Sequence, residues 1–118
     1  MNVNMVIEDQ YRAIVDGDGL TYSPVRPTPV GGYMVSLAGS ERTIPLEHFT
    51  SGDFADYMSD YECRVMNEGH FYGAWVDAGL VYLDLSVNVA DRAEAEAMGR
   101  LESQLAIFDV ANGYVISL

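Results

Sequence analysis

The fold is decided by the stretch LVYLDLSVNV, which occupies residues 80–89. Valine and leucine stand at the odd positions from 81 to 89, and they alternate with Tyr82, Asp84, Ser86 and Asn88. Side chains in a strand point to opposite faces in turn, so a strict period of two predicts a β-strand with one buried face. A sheet with one face packed on a core is the expected surrounding.

Three hairpins are predicted around this strand. Each joins two short alternating runs across a loop that contains glycine. Asn112-Gly113 is the strongest of these turn signals. The predicted pairs are residues 73–76 with the strand from Leu80, residues 33–37 with residues 42–46, and residues 105–110 with residues 114–118. Residues 23–32 contain three prolines and two glycines, which predicts an extended loop because proline donates nothing to a ladder.

Two helices are predicted between the hairpins, at about residues 50–67 and about residues 91–103. The first starts with Thr50 as N-cap and Asp53 three residues later, which is the spacing of a capping box. Gly69 is expected to end it. Asp91 and Glu94 repeat the capping pattern at the second helix. The predicted apolar stripe of this helix consists of Ala97, Met98, Leu101 and Leu105.

Clustered strands separated by two helices predict an α+β fold, an antiparallel or mixed sheet of hairpins with two packed helices. The 118 residues suffice for a single domain spanning residues 1–118. Residues 1–19 are expected to form an N-terminal arm or a short helix, which ends in the turn Asp16-Gly17-Asp18-Gly19.

Charge is the least ordinary property of the composition. Eighteen Asp and Glu residues oppose six Arg and no Lys, which gives a net charge of −12. A field of this sign repels nucleic acid and anionic membranes and attracts basic surfaces. Direct nucleic-acid binding and membrane binding are therefore not expected. A lone cysteine, Cys63, and the lack of an export signal predict a cytoplasmic protein without disulfides.

Residue patterns for metal or catalytic chemistry are weak. The Asp16–Gly19 turn starts like a calcium loop, but Leu20 and Pro27 stand where that loop needs oxygen ligands. Two separated histidines and one cysteine do not make a zinc pattern. No nucleophile pattern is present, and no cofactor is predicted. Asp77, Asp84 and Asp109 leave a carboxylate-based enzyme open as an unfavoured alternative.

The second half of the chain resembles a group of small acidic proteins of actinobacterial phages and their hosts. The resemblance lies in residues 72–77, 81–86, 89–91, 94–95 and 104–109, together with residues 32–37 and 44–46. It implies a phage-type accessory protein in a bacterial cytosol. A weaker resemblance is to antirestriction DNA-mimic proteins, in which a Gly-x-Trp-x-Asp stretch and an Ala-Ile-x-Asp strand match these residues: Gly73, Trp75, Asp77, Ala106, Ile107 and Asp109.

Acidic helix faces are the favoured functional feature. Residues 47–68 hold six acidic residues and one arginine. Such a stripe is either a solvated face or a docking surface for a basic protein, with aromatic anchors. We predict a non-enzymatic protein that binds a basic host protein, in the sharpest case as a nucleic-acid mimic, through these residues: Asp53, Asp56, Asp60, Glu62, Glu94, Glu96, Glu102 and Tyr82. The alternative is a structural or self-assembling, homo-oligomeric small protein, for example a homodimer.

Overall fold

In the part of the chain that the structure describes, four helices and seven strands form an α+β fold around the predicted strand. A computed structural model describes residues 3–118, with side chains from Ile7 onward. The helices are α1 (Val3–Val15), α2 (Ser51–Asp60), α3 (Glu62–Glu68) and α4 (Arg92–Leu101), and a 3₁₀ turn spans Leu46–His48. The strands are β1 (Leu20–Tyr22), β2 (Tyr33–Ser36), β3 (Arg42–Pro45), β4 (Phe71–Asp77), β5 (Leu80–Val89), β6 (Ala106–Asp109) and β7 (Tyr114–Ser117).

Strand β5 is the centre of one antiparallel sheet. Strand β4 pairs with it along seven residues, and β1 pairs with the outer edge of β4. On the other side, β3 pairs with the first half of β5 and β2 with the second half. Strands β6 and β7 continue the sheet beyond β2. The hairpins β4–β5 and β6–β7 confirm two of the three predicted pairs.

The predicted hairpin of residues 33–37 with residues 42–46 is wrong. Both β2 and β3 run antiparallel to β5, so they follow one another in the same direction. The segment between them also stays on β5, because Leu37 N–H donates to the Leu85 carbonyl and Leu85 N–H donates to Ser40 Oγ. The ten residues of β5 therefore supply hydrogen-bond partners to two short strands. The turn at Gly39 does not reverse the direction of the chain.

All four helices pack on the same face of the sheet. One core cluster joins α1, α2 and α3 to the inward side chains of β4 and β5, with Ile14, Phe54 and Leu83 fully buried. A second cluster joins α4 to β2, β6 and β7 through Val35, Ala95 and others. The odd-numbered residues of β5 face this helix layer, as the alternation predicts.

The first predicted helix begins as expected but is divided into α2 and α3. Thr50 and Asp53 form the complete capping box, and Gly69 ends α3 in the left-handed conformation. The break lies at Tyr61, where φ is −113° and ψ is 12°. The Tyr72 hydroxyl donates to the Met58 carbonyl at 2.6 Å. In a continuous helix that carbonyl would accept from residue 62, so Tyr72 satisfies the group that the break exposes.

The second predicted helix is α4, with Asp91 as its N-cap. Its predicted apolar stripe is wrong in part, because Leu101 and Leu105 are among the most exposed apolar residues. The helix packs through Ala95 and Gly99 instead. These small residues let α4 approach the sheet closely. Residues 1–19 contain α1, whose Ile14 belongs to the core. No helix within residues 3–118 has the length and apolar content to cross a bilayer.

Candidate functional site

The predicted carboxylates on α2 and α3 are used in two different ways. Asp53 accepts from the Thr50 N–H at 2.9 Å, and Asp60 contacts Arg42 at 2.8 Å. Asp56 and Glu62 are exposed. Only the last two offer their carboxylates to solvent without a bond to another described side chain or backbone group.

The carboxylates at α4 divide in the same way. Glu96 contacts Arg92 at 3.2 Å, and Glu102 accepts from the Ala38 N–H at 3.1 Å. Glu94 is exposed. Helix α4 belongs to the core cluster with β2 and β6, whereas α2 and α3 belong to the cluster with β4 and β5. The predicted carboxylates therefore stand over different parts of the sheet and do not form one stripe.

The six arginines all belong to the helix layer. Arg42 lies on β3, but it is paired with the inward-facing Leu83, and its guanidinium lies over the Tyr57 ring at 5.0 Å. Arg26 donates to the Val65 carbonyl of α3 at 2.8 Å. The remaining four lie on the helices: Arg12 on α1, Arg64 on α3, and Arg92 and Arg100 on α4.

No helix within residues 3–118 covers the opposite face of the sheet, which we call the open face. Directly opposed residues in antiparallel strands point to the same side, so the register assigns its side chains. It contains three large apolar residues that are well exposed: Trp75 at 46%, Phe108 at 39% and Val115 at 64%. The open face consists of Thr21, Met34, Ser36, Thr43, Pro45, Phe71, Gly73, Trp75, Asp77, Leu80, Tyr82, Asp84, Ser86, Asn88, Ala106, Phe108, Val115 and Ser117.

Trp75 and Tyr82 form a stacked pair on the open face. They are direct cross-strand partners on β4 and β5, and their ring centroids lie 4.3 Å apart with 13° between the planes. Tyr82 is half-buried in this arrangement. The predicted anchor Tyr82 is therefore one member of an aromatic pair, in which Trp75 is the more exposed ring.

Asp84 lies beside this pair, two residues along β5 from Tyr82. Ser36 Oγ donates to Asp84 Oδ2 at 2.7 Å. The carboxyl covers Gly73 on β4, because a Cβ atom at Gly73 would fall inside van der Waals distance of Asp84 Oδ1. Burial raises the pKa of Asp84 to about 6; the Ser36 hydrogen bond opposes this shift, and the charge of Glu41 adds to it.

The proline-rich loop before β2 is bonded at one end of the open face. Thr28 Oγ1 donates to the Thr21 carbonyl of β1, and Asn88 Nδ2 donates to the Gly31 carbonyl. β1 and β5 flank β4, and the side chain of Phe71 at this end of β4 is only 6% exposed. The accessible parts of the open face are therefore the Trp75 end and the corner formed by β6 and β7.

The residues considered for catalysis or metal binding do not come together in one site in the described part of the chain. Asp84 and Asp77 stand about four residues apart along the open face, and Asp109 points to the helix layer. Hydrogen bonds from Asn112 lower the pKa of Asp109. These three carboxylates therefore do not form a pair. Among residues 3–118, no three His, Cys, Asp or Glu side chains lie close enough together to hold a metal ion. Cys63 is exposed on α3.

Comparison of the chain with family models, curated proteins and solved structures finds no match. The resemblance to actinobacterial phage proteins and the weaker resemblance to DNA-mimic proteins therefore stay predictions.

Trp75 and the environment of Asp84 were not among the predicted partner-binding residues, because the predicted turn implies a different register of β4 and β5. The predicted β4–β5 hairpin turns at residues 77–79. Counting outward from that loop pairs Trp75 with Val81 and Gly73 with Leu83. The structure turns at residues 78–79 instead, which pairs Trp75 with Tyr82 and Gly73 with Asp84. A glycine opposite an aspartate leaves room for the carboxyl to fold across the partner strand.

Proposed function

We propose that this chain is a non-enzymatic binding protein that docks on a basic protein through the open face. One observation carries the proposal: Trp75 and Phe108 are exposed on the sheet face without helices, while all six arginines lie on the other layer. Exposed aromatic side chains are common anchors in protein interfaces, where a few residues supply most of the binding free energy.

The charge supports a basic partner. The net charge is −12, and the four arginines with described polar bonds use them inside the chain. The exposed carboxylates Asp56, Glu62 and Glu94 add to a long-range negative field rather than to a single contact stripe. Such a field speeds the encounter with a positive surface, and salt weakens it. We therefore assign these three residues to steering and the open face to contact.

In its finer form, the proposal is a phage-type accessory protein that acts on a host protein in the bacterial cytosol. The partner chemistry then includes proteins with a basic nucleic-acid-binding site, which a strongly negative protein occupies as a nucleic-acid mimic. The support for this form is the net charge of −12 together with the resemblances described above.

Affinity capture from a bacterial lysate tests the proposal when the bait is varied. Trp75→Ala with Val115→Ser removes exposed apolar side chains from the open face. The control, Asp56→Asn with Glu62→Gln, removes two exposed charges from the helix layer. We expect the wild type to retain a basic protein at low salt and to lose it at high salt, and the open-face variant to retain about tenfold less. Equal capture by the wild type and the folded open-face variant would contradict the proposal.

A homodimer is the second candidate, and the edge of the sheet favours it. Among the described strands β7 pairs with β6 alone, and its Tyr114 and Val115 are 50% and 64% exposed. An exposed edge strand is a template for pairing with another chain. Sedimentation at several concentrations separates the candidates, because a stable dimer without a partner supports self-assembly and a monomer supports docking on a different protein.

A further inference from the structure

The Trp75 side chain is 46% exposed, although one face of its ring is covered. Tyr82 stacks on the side toward β5. On the side toward β1, the register Leu20 opposite Ala74 continues to Gly19 opposite Trp75. Gly19 has no side chain, and a Cβ atom there would meet nothing closer than the Ala74 carbonyl at 3.6 Å. The stack with Tyr82 therefore leaves part of the Trp75 ring accessible to solvent.

The carboxylate of Asp84 lies next to the Trp75 ring, over strand β4. Gly73 precedes Trp75 by two residues on β4 and faces the same side, which places the two positions about 7 Å apart. Because Gly73 has no side chain, the carboxyl of Asp84 occupies the space above it. The Ser36 hydroxyl holds one carboxylate oxygen, Oδ2, at 2.7 Å. The other oxygen, Oδ1, is the one nearest to β4.

We propose that Trp75 and Asp84 together recognise an arginine side chain of the basic partner. The inference rests on the proposed function and names the chemistry of its contact. A guanidinium is planar, stacks on the face of an aromatic ring, and donates hydrogen bonds in its plane to a carboxylate. A lysine ammonium is a compact, strongly hydrated charge, and it satisfies this pair of groups less well.

Charge complementarity selects a basic partner over a second copy of this chain. The six arginines lie in the helix layer and there is no lysine, so no arginine or lysine side chain competes for the open face. A second copy would add another −12, and four of its six arginines already hold internal bonds. The titratable groups that interact with Asp84 are Glu41, on the segment before β3, and Tyr57, on α2 beneath the sheet.

The test uses the full chain and two capped peptides of equal length and charge, one of alternating Arg and Gly and one of alternating Lys and Gly. Trp75 is the only tryptophan, so its fluorescence reports on the site directly. We expect saturable quenching by the arginine peptide and weaker binding of the lysine peptide. Asp84→Asn should weaken binding of the arginine peptide by about tenfold, because it removes a charge-assisted hydrogen bond.

Asp9→Asn is the matched control, because it makes the same change of charge at an exposed position of α1 in the helix layer. It should change the affinity less than about twofold, the size of a screened long-range effect. Equal weakening by Asp84→Asn and Asp9→Asn, or equal affinity for the two peptides, would overturn arginine recognition. Unchanged Trp75 emission while calorimetry records peptide binding would overturn it as well.

Failure of this inference is distinguishable from failure of the proposed function. If lysate capture depends on the open face but the two peptides bind alike, docking on a basic partner stands and arginine recognition falls. If capture does not depend on the open face, the proposed function itself falls, whatever the peptides do.

Discussion

Replacing Asp84 with asparagine should stabilise the protein at neutral pH. Burial raises the pKa of this carboxyl from 3.8 to about 6, so the folded state disfavours its ionised form. One pKa unit corresponds to about 1.4 kcal/mol, and the shift of about two units therefore corresponds to roughly 3 kcal/mol. Asparagine keeps an oxygen that accepts from Ser36 and carries no charge, so the variant avoids most of this cost.

The raised pKa of Asp84 determines in which direction the stability of the wild type changes with pH. A carboxyl with a raised folded pKa contributes its full stability below the unfolded pKa, and that contribution is lost as the pH rises through about 6. Wild type and Asp84→Asn should therefore have similar free energies of unfolding at about pH 4, and the variant should be more stable by roughly 2–3 kcal/mol at about pH 7.5. Urea denaturation, followed by Trp75 fluorescence across this range, measures the difference.

Ser36→Ala is the companion variant. The Ser36 hydrogen bond lowers the pKa of Asp84, so its removal should raise that pKa further and steepen the loss of stability with rising pH. Parallel stability curves of wild type and Asp84→Asn between about pH 4 and pH 7.5 would contradict this prediction, because they would mean that Asp84 titrates alike in the folded and unfolded chains.

Three further substitutions test local contacts that stabilise the fold. Gly73→Ala should destabilise the protein by about 1–3 kcal/mol in urea denaturation, because its Cβ atom overlaps the Asp84 carboxyl; an unchanged midpoint would mean that the carboxyl moves aside freely. Thr50→Ala removes the N-cap of α2 and should cost about 1 kcal/mol in thermal denaturation, and an unchanged melting temperature would contradict it. Tyr57→Phe leaves the buried Ser40 carbonyl without its donor and should cost about 1–3 kcal/mol, whereas a neutral effect would show that this bond adds nothing.

The sequence predicted those parts of the fold that depend on interactions between residues close together in the chain. The capping box at Thr50 and the hairpin that joins β4 to β5 depend on residues within a few positions of each other. The partner of β2 depends on a strand about fifty residues away. A glycine and a serine at positions 39 and 40 suit a hairpin turn as well as they suit the connection that the structure has. The sequence alone therefore favoured β3, the nearer strand, as the partner of β2.

The candidate site was predicted less well, for a related reason. A helical stripe shows which carboxylates share a face, but it does not show that Asp60 meets Arg42 or that Glu102 meets the Ala38 backbone. Both partners come from other elements of the fold. The alternation in β5 did predict that Asp84 faces away from the helices, and the value of its pKa depends on what the neighbouring strands place around it.

The most direct test of the account is the accessibility of Trp75 in the complex with a captured partner. Acrylamide quenching of a tryptophan measures its contact with solvent, and this ring is 46% exposed in the free chain. Labelling is unnecessary because the chain has no other tryptophan; a partner that contains tryptophan is produced with phenylalanine in those positions. The account predicts that the quenching constant falls severalfold when the partner is bound. An unchanged quenching constant in a fully formed complex would contradict it, because the partner would then lie elsewhere than on the open face.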